Sequence, residues 1–340
     1  MRPIAVVGFA FDLAPLDDGR SDAELLGPVV DRALSQSGLG SSKIDVVGSA
    51  SSEFLNGVVG GVMGAFDALP GWPPRTHFHH EGDGAFALYE CWVRLLAGDT
   101  DAALACAFSR PRAVEPARLL APQLDPYLIA PLAPSHTALA ALQAAALLDS
   151  GTVTEVDLAR VVAARRPGFD GGAASRQPYV ASPLRVADCS TVCSGAAAVV
   201  LASGEALTAV SGPRAWVTGM DQRVERQSLG ARDLSRSGSI TTAALHLGLA
   251  GTDVDLLECH APYSHQELLI VDAIGARRIG QVNPSGGCLP ADPVMATGLI
   301  RMGLAAEAVI AGKASRAVGH ATNGVCLQHN LLGVFEANHE

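Results

Sequence analysis

The sequence predicts an α/β fold made of two similar halves, in which helices cover mixed or parallel sheets. Helix and strand patterns alternate along the 340 residues, and this alternation is typical of layered α/β architectures. Residues 38–47 recur 210 positions later as residues 248–257, and residues 101–110 recur 206 positions later as residues 307–316. Two near-equal offsets in the same order indicate an internal duplication, with chance similarity of short apolar strands as the alternative.

The first half opens on a strand and continues with two helices. Residues 4–10 are an apolar run that leads into Asp12, which indicates a buried strand and not a signal peptide. Helices are predicted over residues 22–37 and 84–97. Gly38 is a typical C-cap glycine, and a buried strand is predicted directly after it.

A cap is predicted between the two halves. Residues 111–185 are richer in proline and arginine than the rest, and contain predicted helices at 136–150 and 155–164. Inserted loops of this kind often bind substrate. The core pattern resumes at residues 186–203, where Ser194 begins an apolar run that predicts a strand.

The second half contains three predicted helices, at residues 236–248, 264–276 and 294–304. The sequence therefore predicts three parts. The N-terminal half occupies residues 1–110 and 186–203, the cap occupies residues 111–185, and the C-terminal half occupies residues 204–340.

Composition excludes several classes of partner. Hydrophobic residues make up 49% of the chain, which is typical of a globular protein. The net charge of −10 and the lack of a basic run argue against nucleic acid and anionic membranes, and no apolar run reaches the length of a membrane span. Seven scattered cysteines indicate reduced thiols, so we expect a cytoplasmic protein, and Cys189 and Cys193 are too isolated to indicate zinc.

A glycine-rich turn precedes the last predicted helix. Residues 283–287 read Asn-Pro-Ser-Gly-Gly, Asp292 and Pro293 follow, and residues 296–298 read Ala-Thr-Gly. Such a turn can direct backbone N–H groups and one side chain into a cleft, because helix N-termini attract anions. An ordinary turn before a helix is the alternative.

Together with residues 258–269 and 327–331, these motifs resemble the thiolase superfamily, and most closely its sterol-carrier-protein thiolases and bacterial lipid-transfer proteins. The resemblance spans nearly the whole chain. It implies a duplicated thiolase fold of five αβαβα layers with two mixed sheets and an inserted cap. It also implies a CoA thioester as substrate, no further cofactor and a homodimer formed by edge strands.

Three positions depart from the family pattern. The position of the nucleophilic cysteine falls on Glu81, and that of the second, proton-donating cysteine falls on Pro262. The histidine of the family's Gly-His-Pro motif becomes Asp292. A carboxylate does not readily replace a thiolate as acyl acceptor, so the resemblance implies loss of covalent acyl transfer. Glu81 at a helix start also has a purely structural interpretation, as a charge that favours the helix dipole.

The resemblance implies that an oxyanion site is retained. His260 matches a histidine that helps to hold the thioester oxygen, with a satisfied core histidine as the alternative. Backbone N–H groups near Asn323, Gly324 and Gly287 are further candidate donors. Asp292 is a candidate base, or else a helix cap. No residue pattern in the sequence predicts a metal site.

Retro-aldol cleavage of a β-hydroxyacyl-CoA fits these residues, because it needs enolate stabilisation and proton transfer but no nucleophile. His260 would orient the thioester oxygen, and Tyr263 or Asp292 would handle the proton. Some relatives are aldolases of steroid side-chain degradation that work with a small OB-fold partner, which implies such a partner here.

Three alternatives remain at the level of sequence. The first is acetyl transfer through Cys288 or Cys326, and the second is Schiff-base chemistry at Lys313. The third is a non-catalytic subunit or acyl-CoA carrier. A non-catalytic subunit does not require polar side chains that point into a cleft. Convergence of Glu81, His260 and Asp292 on one solvent-reachable cleft would therefore favour an enzyme.

Overall fold

A computed structural model describes residues 2–57, 60–71, 75–111, 124–169, 172 and 176–338. The strands of this part are β1 (Ile4–Ala14), β2 (Val46–Ser51), β3 (Thr76–Glu81), β4 (Ala102–Ser109), β5 (Tyr179–Ala181), β6 (Leu184–Arg185), β7 (Ser194–Ser203), β8 (Ala215–Val224), β9 (Asp253–Cys259), β10 (Arg278–Val282), β11 (Arg316–Asn323) and β12 (His329–Glu336).

Helices in the described residues are α1 (Asp22–Ser37), α2 (Glu53–Asn56), α3 (Gly84–Ala97), α4 (His136–Asp149), α5 (Glu155–Arg165), α6 (Gly204–Ala209), α7 (Gly238–His246), α8 (Ser264–Ile274) and α9 (Thr297–Ile310). Short 3₁₀ helices lie at Ser41–Lys43, Gly61–Ala68, Ala130–Leu132, Val186–Asp188 and Leu229–Ala231.

The main sheet confirms the predicted duplication. Its strand order is β10-β9-β11-β12-β8-β1-β7-β4-β2-β3. Each half has three parallel strands, β3-β2-β4 or β10-β9-β11, followed by two strands that alternate in direction. The halves meet where β1 pairs with β8 over two residue pairs, so the two expected sheets join into one sheet of ten described strands.

The helices form the remaining layers of the predicted α/β fold. A buried core that contains residues of α3 and α9 also includes residues from the strands of both halves, which places these two helices centrally. Helix α1 covers the outer face of the first half, and α7 and α8 cover that of the second. The first residues of the two central helices, Gly84 and Thr297, are both buried.

Local signals explain why several predicted helix bounds are correct. Helix α1 begins at a capping box formed by Ser21 and Glu24, and ends at Gly38 with φ of 69°. Helix α3 begins after Asp83, whose side chain accepts a hydrogen bond from Ala85 N, and ends at Gly98 with φ of 84°. Both helices occupy the predicted residues.

One half of the repeat prediction is wrong. Residues 248–257 do repeat the helix end, glycine and strand start of residues 38–47. Residues 307–316, in contrast, contain the last turn of α9 and a turn, and the strand equivalent to β4 is β11. Helix α9 also runs to Ile310, six residues beyond its predicted end. Small apolar residues fit a buried strand and a buried helix equally well, and therefore did not mark the boundary.

The predicted cap helices are confirmed as α4 and α5, and a short β5–β6 hairpin follows them. Residues 112–123, 170, 171 and 173–175 of the predicted cap lie outside the described residues. Helix α4 packs on α8 through a small apolar cluster that includes Tyr263. No helix in the described ranges is both long and apolar enough to cross a membrane. All seven cysteines lie in those ranges, and each is free.

The central helix layer yields a packing prediction. A methyl group at Gly303 of α9 would lie within clashing distance of the Phe9 ring, whereas one at Gly230 would meet nothing within 4 Å. We expect Gly303→Ala to destabilise the fold by about 1–3 kcal/mol through overpacking. Gly230→Ala is the control and should leave the melting temperature unchanged. Equal melting temperatures for the two variants would contradict the described contact.

Candidate active site

Three buried polar side chains converge where the central helices begin. Asp83 is the N-cap of α3, His260 follows β9, and Asp292 lies in the loop before α9. Their exposed fractions are 1%, 5% and 3%. Nδ1 of His260 lies 3.6 Å from Oδ2 of Asp83, and ligand atoms of His260, Asp292 and Cys288 lie within 4.8 Å of one another. The predicted convergence of His260 and Asp292 is therefore present.

Asp83 connects the two central helices. Its carboxylate accepts the backbone N–H of Ala85 at 2.8 Å and that of Gly298 at 2.7 Å, which lie in the first turns of α3 and α9. Burial raises the pKa of Asp83 to about 7, and the charge of Asp292 acts in the same direction. The sequence analysis missed this residue, although an aspartate directly before Gly84 is an ordinary N-cap signal.

Glu81 lies apart from this cluster. Its side chain is 42% exposed and accepts a hydrogen bond from Glu53 N at 2.9 Å. Glu81 is the last residue of β3, and the chain turns at Gly82 with φ of 157° before reaching Asp83. The carboxylate that faces His260 is thus two residues further along the chain.

His260 is a neutral imidazole in this setting. Burial lowers its pKa to about 3, and the nearby charge of Arg301 adds to the effect. Within the part of the chain that the structure describes, Nδ1 of His260 has no hydrogen-bond partner, although it faces Asp83. Arg301 itself is buried and forms an ion pair of 2.9 Å with Glu258. A neutral histidine can offer one N–H and one lone pair.

Two hydroxyl groups hold Asp292 in place. Ser190 Oγ donates to Oδ2 at 2.6 Å, and Thr297 Oγ1 donates to Oδ1 at 2.7 Å. Burial raises the pKa of Asp292, while these two hydrogen bonds oppose the rise. The helix-cap alternative has little support, because the N-cap of α9 is Ala296, which lacks a side-chain cap.

Tyr263 lies at the contact between the core and the cap. Its hydroxyl is 3.4 Å from Thr137 Oγ1 of α4, and burial raises the pKa of Tyr263 to about 12. Tyr263 therefore keeps its proton near neutrality and suits the role of a donor better than that of a base.

The candidate nucleophiles are protonated. Burial raises the pKa of Cys326 to about 11 and that of Cys288 well above its usual value. The thiol of Cys326 donates to Leu139 O at 3.3 Å. Lys313 is exposed beyond the C-terminal end of α9, whereas Asp83 contacts the N-terminal end of that helix. A 14-residue helix is roughly 20 Å long, so Lys313 does not reach the cluster.

The predicted amide donors already have acceptors. The backbone N–H of Gly324 donates to Asn323 Oδ1 at 3.0 Å, and that of Gly287 donates to Ser285 Oγ at 3.4 Å. Neither N–H is free for a thioester oxygen in this conformation. Asn323 nevertheless lies beside the turn into α3, because a methyl group placed at Gly82 would meet its Nδ2 at 2.7 Å.

A cavity of about 270 Å³ lies near this region. The residues that line it come from β3, α3 and β8 and are Phe78, His79, His80, Phe86, Tyr89, Glu90 and Gln222. Asp83, His260 and Asp292 do not line it. Each of those three side chains is at least 95% buried, and the exposed side chain of Glu81 does not converge with His260 and Asp292.

Comparison with solved structures identifies the fold. The chain superposes on the "Ltp2-ChsH2(DUF35) aldolase" with a TM-score of 0.79 and 17% identity, covering 99% of this chain and 98% of the other. It superposes equally well on human mitochondrial 3-ketoacyl-CoA thiolase. For the thiolase in complex with CoA, the TM-score is 0.79 and the sequence identity is 13%, and the match covers 99% of this chain and 98% of the other. For a second structure of the same thiolase, the TM-score is 0.79 and the sequence identity is 14%, and the match covers 99% of each chain.

No protein-family model and no curated protein sequence matches the chain. The protein therefore has the thiolase fold, as the sequence resemblance implied, and identities of this size establish the fold alone.

The contacts of Asp83 and Glu81 predict that removing their carboxylates has unequal effects on the free energy of unfolding. Asp83→Ala leaves two buried backbone N–H groups without an acceptor and should cost at least about 1 kcal/mol. Glu81→Ala, at a half-exposed position, should change stability by less than about 0.5 kcal/mol. Denaturant unfolding of the two variants measures the difference. A larger loss for Glu81→Ala would show that the wrong carboxylate has been placed in the site.

Proposed function

We propose that the protein is a thiolase-type enzyme that binds an acyl-CoA thioester and cleaves a carbon–carbon bond without a covalent acyl-enzyme. The reaction we favour is retro-aldol cleavage of a β-hydroxyacyl-CoA. The observation that carries this proposal is the convergence of Asp83, His260 and Asp292 at the first turns of α3 and α9, where the residue that precedes α3 and faces His260 is an aspartate. The aldolase among the structural neighbours supports it.

The residues suit the successive proton transfers. Asp292 takes the proton of the β-hydroxyl group, the bond between the α and β carbons breaks, and the β carbon leaves as a ketone or aldehyde. The electron pair of that bond forms the enolate of the thioester. Its oxygen is stabilised by an N–H of neutral His260 and by the positive ends of the two helices. Asp83 or Tyr263 then donates a proton to the α carbon, and the proton held by Asp292 restores the donor.

The raised pKa of Asp83 fits its role as donor. With a pKa of about 7, this carboxyl group is protonated in an appreciable fraction of molecules at neutral pH. Tyr263, with a pKa of about 12, is protonated throughout that range. The two groups approach the site from different sides, one from the start of α3 and the other from the contact with the cap.

The finer assignments of the sequence analysis also stand as proposals. They are membership of the sterol-carrier and lipid-transfer branch, a role in steroid or lipid degradation in the cytoplasm, a homodimer and a small OB-fold partner. The aldolase neighbour contains ChsH2(DUF35) together with Ltp2, which supports a search for a partner. Strand β3 lies at the edge of the described sheet and is partly exposed, which supports edge pairing between subunits.

A second candidate is a non-catalytic subunit or acyl-CoA carrier. The burial of the polar cluster favours it, since each of its three side chains is at least 95% buried. Acetyl transfer has less support because Cys288 and Cys326 are protonated thiols. Mass spectrometry after incubation with acetyl-CoA distinguishes the carrier from an acetyltransferase, because acetyl transfer requires an acylated cysteine.

The proposed reaction predicts a specific pattern of variants. The purified protein, alone and with an OB-fold partner, is incubated with a β-hydroxyacyl-CoA that has a branched or steroidal tail. We expect a ketone product, and Asp292→Asn should lower its rate by roughly a hundredfold or more, because the base is lost. Glu81→Gln is the matched carboxylate control and should retain the rate. Substrate binding without any ketone, with or without the partner, would favour the carrier.

A further inference from the structure

His260, Cys288 and Asp292 form a compact set of metal-ligating groups. One atom from each residue lies within 4.8 Å of the others, and all three residues are at least 95% buried. Imidazole, thiolate and carboxylate are the three ligand types that proteins use for zinc. The loop before α9 supplies two of them, Cys288 and Asp292, and the end of β9 supplies His260.

Each of the three groups has the supporting contacts that metal ligands usually have. Asp292 accepts hydrogen bonds from Ser190 and Thr297, which leave lone pairs of the carboxylate available. The carboxylate of Asp83 lies 3.6 Å from Nδ1 of His260, beyond hydrogen-bond distance, and places a second acidic group beside the imidazole. The backbone N–H of Ala261 forms a hydrogen bond with the sulfur of Cys288.

Two observations suggest that a partner is needed at this point. Nδ1 of His260 has no hydrogen-bond partner among the described residues, although His260 is 95% buried. In the described part of the chain, Asp292 forms no ion pair with a basic side chain, and the nearby Arg301 is paired with Glu258. Buried polar and charged groups normally have partners, because leaving them without one is costly.

We propose that His260, Cys288 and Asp292 bind one divalent transition-metal ion of the zinc class. Two anionic ligands and one neutral imidazole would neutralise the ion, and three protein ligands would leave a fourth position open. Because the site is enclosed, we expect the ion to enter as the chain folds.

The proposal has a consequence that rests on the proposed function. His260 and Asp292 cannot serve as metal ligands and, at the same time, as oxyanion donor and base. Metal-loaded protein should therefore be inactive in the retro-aldol assay, and chelation should restore activity. Metal binding itself does not depend on any activity, so the two proposals fail separately.

Cobalt(II) is the probe for the site. The full-length protein is treated with a chelator, then titrated with Co²⁺ in the folded state and, in parallel, refolded in the presence of Co²⁺. We expect one Co²⁺ per chain, visible d–d bands of a low-coordinate site and a near-ultraviolet thiolate-to-cobalt charge-transfer band. Added Zn²⁺ should abolish these bands by displacement.

Two serine variants locate the ligand. Cys288→Ser should lose the charge-transfer band, whereas Cys326→Ser, which alters another buried thiol near Tyr263, should keep it. Asp292→Asn should weaken Co²⁺ binding but retain the charge-transfer band at saturation. Circular dichroism verifies that each variant is folded. No band after either loading route, or a band that survives in Cys288→Ser, would overturn the proposal.

Discussion

The hydrogen bonds of Asp83 to two helix N-termini are the constraint on which the rest of the site depends. The carboxylate bonds to the first turn of α3 and to the first turn of α9, so the two central helices start at one point. Gly84 and Gly298 make this possible, because a methyl group at either position would clash with neighbouring atoms. Two positive helix ends therefore converge beside His260, where they favour negative charge that develops on a bound group.

The two halves of the duplicated fold contribute different residues to the site. The first half contributes Asp83 at the start of α3, and the second contributes His260 and Asp292 around the start of α9. Two arginines of the cap bond to the loop before α9 and to helix α8. Arg165 bonds to Glu267 and to Asn283 O, and Arg166 bonds to Leu289 O, so two adjacent arginines hold both ends of the loop that leads to Asp292. The cap is thus part of the support of the site.

The buried charged side chains have two kinds of partner. Arg301 with Glu258, and Arg165 with Glu267, are buried ion pairs in which each charge has a direct partner. In the described residues, Asp83 and Asp292 accept hydrogen bonds from N–H and hydroxyl groups and form no ion pair with an arginine or lysine, and their pKa values are raised. A raised carboxyl pKa allows proton transfer near neutrality. The proposed reaction uses these two carboxyl groups, whereas the proposed metal site rests on the positions of His260, Cys288 and Asp292.

The sequence by itself determined the features that local interactions control. Capping residues and C-cap glycines fixed α1 and α3, alternating patterns predicted the duplicated α/β fold, and family motifs brought His260 and Asp292 together. Only the tertiary structure decided which carboxylate faces His260. Glu81 and Asp83 are both acids near a helix start, and the end of β3 and the packing of α9 bury one and expose the other. The role of Cys288 as a neighbour of His260 was likewise undetermined, because residues 28 positions apart meet only through folding.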